Sequence, residues 1–146
     1  MNDKKFDSGI LIALFKRKGA TSQNTGVFSE ISNERRLYIN SKIRLHTDES
    51  AAICGVIEFK TWFLVTNTRI INCFNDLINE IKLSDIERAV VNLENVRKSG
   101  SSLSKWQQII LRLFSGEMFT LDVEEGLPMG GVWSVLAYVA ERNRHQ

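Results

Sequence analysis

The spacing of apolar residues changes twice along this chain, and those changes constrain the fold more tightly than any single motif. From about residue 51 to Glu124 apolar side chains tend to recur at every second position, the period of a strand with one buried face. Before that region, at 6–18, and beyond Gly126 they recur at helical spacing. The pattern predicts a run of antiparallel strands flanked by helices.

Within the strand-like region the segment at 52–59 alternates Ile53, Gly55, Ile57 and Phe59 with less apolar neighbours. In the next segment Asn67 and Thr68 interrupt two apolar runs rich in β-branched and aromatic residues. That interruption predicts a hairpin in which Trp62–Thr66 pairs with Arg69–Phe74. Asn75 and Asp76 supply a second turn, and Glu80–Leu83 starts another strand. Ser84, Asp85 and Ile86 read as a bulge or one helical turn before Glu87–Val96 resumes as strand. Lys98–Ser102 is a loop. Ile109, Leu111 and Leu113 alternate with Gln108 and Arg112, Ser115 and Gly116 turn the chain, and Phe119, Leu121 and Val123 alternate with Thr120, Asp122 and Glu124.

The flanks are helical. Phe6, Ile10, Leu11, Leu14 and Phe15 form an apolar stripe with Asp7 or Ser8 as cap and Gly19 as stop, and residues 19–29 read as a flexible link. A second short helix is expected around Ile31, Arg35 and Tyr38, with Ser29 and Ser32 near its start. At the other end Val132, Trp133, Leu136, Val139 and Ala140 line one stripe. Pro128, the chain's single proline, stands in the first turn of that helix, and Arg142 and Arg144 stand near its end.

About six or seven antiparallel strands in consecutive hairpins have two exposed edges and one apolar face. Closing them into a small barrel, with the last helix plugging one end, covers both. Thr66, Asn67, Arg69, Ile81, Leu83, Asp85 and Ile86 carry a family resemblance: the run at 63–71 followed by that at 80–91 resembles the bacterial pleckstrin-homology-like domains and the related GRAM domains. The resemblance spans about residues 48 to 145. It implies a mainly β fold, a partly open antiparallel barrel closed by a C-terminal helix, here with an N-terminal helical extension. Residues 1–47 are then arm and linker, and 48–146 the pleckstrin-homology-like domain. Members of this group are typically binding or scaffolding modules, some of them self-assembling. The motif reads as turn chemistry, with Arg69 opening a strand and pairing with a nearby carboxylate such as Asp85.

Composition bounds the rest. A chain of 146 residues, 43% hydrophobic and 25% charged, is one domain able to bury about 70% of its unfolded surface. A net charge of +2 disfavours nucleic acid as a partner. Cys54 and Cys73 read as small core hydrophobes, His46 as a solvated loop residue beside Asp48 and Glu49, and His145 as too near the end to be a positioned base. Neither a metal-ligand spacing nor a phosphate-cradling glycine loop occurs, so the expectation is a non-enzymatic chain without metal or cofactor. The apolar run at 10–15 is too short to span a bilayer and is followed by basic residues rather than a cleavage site, which makes a cytoplasmic address the expectation.

Two contact modes stay open. The resemblance does not carry phosphoinositide binding over, because the first inter-strand connection, Lys60–Thr61, has one charge. The arm, with its apolar stripe ending in Lys16, Arg17 and Lys18, can lie on an anionic membrane surface or pack on the barrel or on a neighbouring copy. Trp106, beside Arg97, Lys98 and Lys105, can be a contact residue or a cover for a barrel end. Ile110 and Phe114 fall on the outward side of their strand, and self-association or protein binding through that face is the preferred expectation.

Overall fold

The computed structural model describes residues 5–19, 21–58, 60–92 and 106–145. Its elements run α1 (Ser8–Lys18), β1 (Thr25–Val27), a 3-10 turn (Phe28–Glu30), α2 (Asn33–Lys42), β2 (Ala51–Glu58), β3 (Thr61–Thr66), β4 (Arg69–Phe74), β5 (Leu77–Lys82), a 3-10 turn (Leu83–Asp85), β6 (Ile86–Val91), β7 (Trp106–Leu113), β8 (Met118–Glu124) and α3 (Leu127–Arg144). The fold is mainly β, with a helix near each end. Its strands form two antiparallel meanders, a five-stranded sheet in the order β1-β2-β3-β4-β5 and a three-stranded sheet in the order β6-β7-β8.

The hairpins fall where the polar interruptions place them. Trp62 pairs with Cys73 and Val65 with Ile70 across the turn at Asn67 and Thr68. Phe74 pairs with Leu77 across a two-residue turn in which Asn75 and Asp76 both take positive φ, at 51° and 70°. Those two residue types tolerate the left-handed region, so the turn matches the twist of its strands. The segment after β5 is the helical-turn alternative, one turn of 3-10 helix. The predicted loop at Lys98–Ser102 lies outside the described residues, as do Phe59 and residues 93–96 of the predicted strands.

The expected barrel does not close. The 3-10 turn at Leu83–Asp85 breaks the ladder between β5 and β6, and the strands remain two sheets with separate edges. The link expected at 19–29 is also corrected, because it contains β1, paired with β2 through Thr25–Gly55 and Val27–Ile53. A local loop folds it into place: the Ser22 hydroxyl accepts the N–H groups of Asn24 and Thr25 at 3.2 and 3.0 Å and donates to Glu124 at 2.5 Å.

Two cores result. The larger takes Ile53, Phe63, Ile70 and Ile81 from one sheet, Ile86, Ile109, Leu111, Leu121 and Val123 from the other, and closes with Leu11 and Phe15 of α1 and Val132, Leu136 and Val139 of α3. The smaller lies on the opposite face of the five-stranded sheet, where Ile31 and Ile39 cover Cys54, Val56, Trp62, Leu64, Ile71 and Cys73. A sheet buried on both faces explains why β3, in particular, reads as a continuous apolar run.

Helix α1 is thus part of the main core. Asp7 caps it, accepting from the N–H groups of Gly9 and Ile10 at 2.8 and 3.2 Å. Its C-terminus lies so close to the first turns of α3 that a Cβ on Gly19 would stand 2.6 Å from the Leu127 carbonyl and 2.8 Å from the Gly131 Cα. Both neighbours are backbone, so Gly19→Ala can be accommodated only by moving one helix. A destabilisation of about 1–3 kcal/mol is expected, measured by urea denaturation.

Candidate functional site

The turn between β3 and β4, which the sequence reads as turn chemistry, has its side chains engaged internally. The Thr66 hydroxyl donates to Glu49 Oε2 at 2.6 Å and accepts the N–H groups of Thr68 and Arg69. Asn67 accepts from the Ser50 N–H at 2.9 Å and donates to the Asp48 carbonyl, while its own carbonyl accepts from the Phe6 N–H at 2.8 Å. Arg69 holds Glu49 with Nε at 2.6 Å and Nη2 at 2.9 Å, donates to the Arg44 carbonyl, and reaches Glu80 with Nη1 at 2.9 Å. Its partners are Glu49 and Glu80, not the expected Asp85. The network staples the segment before β2 and strand β5 to the turn.

Electrostatics agree with that role. Burial pushes the Glu49 carboxyl up, but hydrogen bonds from Arg69, Thr66 and the His46 backbone N–H outweigh it and bring it down to about 2. A carboxylate held below its unfolded value stabilises the fold above that value, and the contribution fades as pH falls towards 2. The fall from 4.5 to about 2 corresponds to about 3 kcal/mol. Wild type is therefore expected to exceed Glu49→Gln in stability by that order at pH 7, with most of the difference gone by pH 2 in parallel urea titrations.

The surface that remains open lies at the far end of the same hairpins. Phe74, Leu77 and Ile78 are 56, 71 and 49% exposed around the Asn75–Asp76 turn. Phe74 ends β4, and Leu77 and Ile78 open β5, which is an edge of the five-stranded sheet. The Leu83 N–H donates to the Thr68 carbonyl at 2.9 Å, and alternation along the ladder then turns the N–H and C=O groups of Leu77, Asn79 and Ile81 towards β4. Those of Ile78 and Glu80 point outward, and among the described residues no backbone or side-chain group meets them.

The edge at β6 is treated differently. There α3 supplies side-chain donors to carbonyls of the strand and of the turn before it: Trp133 Nε1 to Ala89 at 3.2 Å, Arg144 to Glu87 at 2.6 Å, and Asn143 to Leu83 and Ile86 at 2.7 and 2.8 Å. A shallow groove of about 310 Å³ runs beside these contacts, lined by Arg88, Ala89, Trp133, Ala137 and Arg144. The helix does there what a further strand would do, so that edge is already blunted.

The residues singled out from sequence are not gathered into one place. Lys16, Arg17 and Lys18 are exposed in the last turn of α1, with Lys16 paired to Glu30 at 2.6 Å. The apolar stripe behind them is buried in the main core through Leu11 and Phe15. Trp106 opens β7 opposite Glu124, and its basic neighbours Arg97, Lys98 and Lys105 lie outside the described residues. Ile110 is half-buried between Val90 and Thr120 on the outer face, and Phe114 is exposed in the β7–β8 turn at the other end of the strand. That face also carries Gln108 bonded to Asp122, and Arg112 paired with Glu87. Cys54 and Cys73 are buried free thiols, and His46 is exposed. Among the described residues no cluster of His, Cys, Asp and Glu is placed to hold a metal, and no helix is long and apolar enough to cross a membrane.

Sequence reasoning missed Phe74, Leu77 and Ile78. The signal was present as apolar residues on both sides of a two-residue turn, where hairpin tips are usually polar. No protein-family model, curated protein or solved structure matches this chain.

Proposed function

We propose that this chain is a non-catalytic interaction module of pleckstrin-homology-like organisation that assembles by strand addition at the β5 edge. The organisation is supported by element order: β2–β5 form a four-stranded meander, β6–β8 a three-stranded one, and α3 follows, packed into the core they share. In this reading β1, α1 and α2 are additions: β1 extends one sheet, α2 covers its outer face and α1 closes the main core.

The non-catalytic reading is supported by where reactive groups sit. Burial pushes the Cys54 thiol up to about 12, far from thiolate chemistry at neutral pH. Glu49 and Arg69, a buried charged pair, spend their hydrogen bonds on each other, on Thr66, Thr68 and Glu80, and on the backbone.

The observation that carries the assembly reading is the contrast between two edges of one molecule. Strand β6 has its carbonyls capped by α3, whereas β5 keeps outward backbone groups beside exposed Leu77 and Ile78. An unpaired strand edge flanked by apolar side chains is the surface on which another strand adds, main-chain bonds giving affinity and alternate side chains specificity.

Size-exclusion chromatography with light scattering tests it. The wild-type mass is expected to rise with concentration, and Ile78→Lys, a change at an exposed position costing under about 1 kcal/mol of stability, is expected to hold the monomer mass throughout. A wild-type mass that stays monomeric at every concentration contradicts the reading.

A further inference from the structure

We infer that the occupant of the β5 edge is a second copy of this chain, paired antiparallel about a two-fold axis that passes through Asn79. This rests on the strand-addition reading, in which the chain adds to its own copy, and fixes the register of that contact.

The geometry of the strand limits the choices. A two-fold axis normal to the sheet keeps each face of one copy continuous with the same face of the other, so residues directly opposite one another share a face. Leu77, Asn79 and Ile81 lie on the face of the main core, where Ile81 packs; Ile78 and Glu80 lie on the face of Cys73 and Ile71. With outward groups at Ile78 and Glu80, the axis can pass through Ile78, Asn79, Glu80 or Ile81.

Charge and apolar cover separate these registers. An axis through Ile78 sets Asp76 of one copy against Glu80 of the other, and an axis through Glu80 sets the two Glu80 carboxylates face to face; both juxtapose like charges. An axis through Ile81 places Glu80 opposite Lys82 but leaves Leu77 and Ile78 beyond the end of the partner strand. An axis through Asn79 covers Leu77 with Ile81 of the other copy, lays Ile78 beside Glu80, and brings Asp76 towards Lys82, each of them twice. The two Asn79 amides meet at the axis, where each can donate to the other. The Glu80 carboxylate, drawn to Arg69 Nη1 at 2.9 Å, leaves its aliphatic stem as the surface that Ile78 meets.

The contact is isologous and closes at two copies. Six residues a side is well below the roughly 800 Å² per partner of a standard stable interface, so the dimer is weak and concentration-dependent.

Disulfide trapping in the full chain reads the register. In the register through Asn79 the two Asn79 Cα atoms form a non-hydrogen-bonded pair about 4.5 Å apart, near the lower end of disulfide range, whereas the two Glu80 Cα atoms stand beyond the limit of about 7 Å. Both positions are exposed, so Asn79→Cys and Glu80→Cys are expected to fold, checked by circular dichroism, and the native Cys54 and Cys73 are buried. Under mild oxidation, at a concentration where light scattering reports dimer, Asn79→Cys is expected to cross-link at least about ten times faster than Glu80→Cys. Faster trapping of Glu80→Cys, or wild-type background for both while the dimer persists, overturns the register. A wild-type chain that is monomeric throughout removes the strand-addition reading itself, so the two failures are distinct.

Discussion

The bidentate contact between Arg69 and Glu49 is the interaction on which the arrangement of this protein depends. It joins segments twenty residues apart in sequence, and through Arg44, Thr66 and Glu80 it reaches the approach to β2, the β3–β4 turn and strand β5. A buried guanidinium–carboxylate pair is costly to desolvate and gains little over a hydrophobic pair, but removing one partner leaves a charge without compensation, at about 3–5 kcal/mol. The pair therefore acts less as a source of stability than as a constraint on geometry. It ties strand β5, through Glu80, to the β3–β4 turn and to the segment before β2.

The N-terminal segments belong to the same structure rather than hanging from it. Leu11 and Phe15 enter the main core, β1 extends the five-stranded sheet, and Ile31 and Ile39 cover its second face. Leu11 and Phe15 of the α1 stripe are buried and Ile10 is exposed, while Phe74, Leu77 and Ile78 are exposed at the β4–β5 tip. The structure also distributes edge protection unevenly, with α3 side chains over β6 and open backbone at β5.

Much of this was readable in sequence because it is local. Asp7 before an apolar helical stripe, Asn75–Asp76 between alternating runs, and Pro128 in the first turn of the final helix each act through the backbone of a few neighbouring residues, and each stands where expected. What escaped is tertiary. Thr25–Val27 has two β-branched residues, but three residues set among small polar neighbours are too short a signal, and pairing with β2 makes them a strand. Glu49 looked like one of two loop carboxylates, and only folding shows that its neighbour Asp48 stays exposed while Glu49 turns inward to Arg69. The barrel was inferred from the need to cover edges; here one is covered by side chains of α3 and another is left open. Trp133 was placed in the core stripe and instead sits at its margin, because its indole N–H is drawn to the Ala89 carbonyl.

A double-mutant cycle on Glu49→Gln and Arg69→Met, measured by urea denaturation at neutral pH, bears most directly on the role given to the buried pair. If the two residues act as one constraint, each single change is strongly destabilising and the second costs little more, with a coupling energy of at least about 2 kcal/mol. Additive effects, with coupling near zero, would show that the two side chains stabilise the fold independently and that the hairpins are held in place by something else.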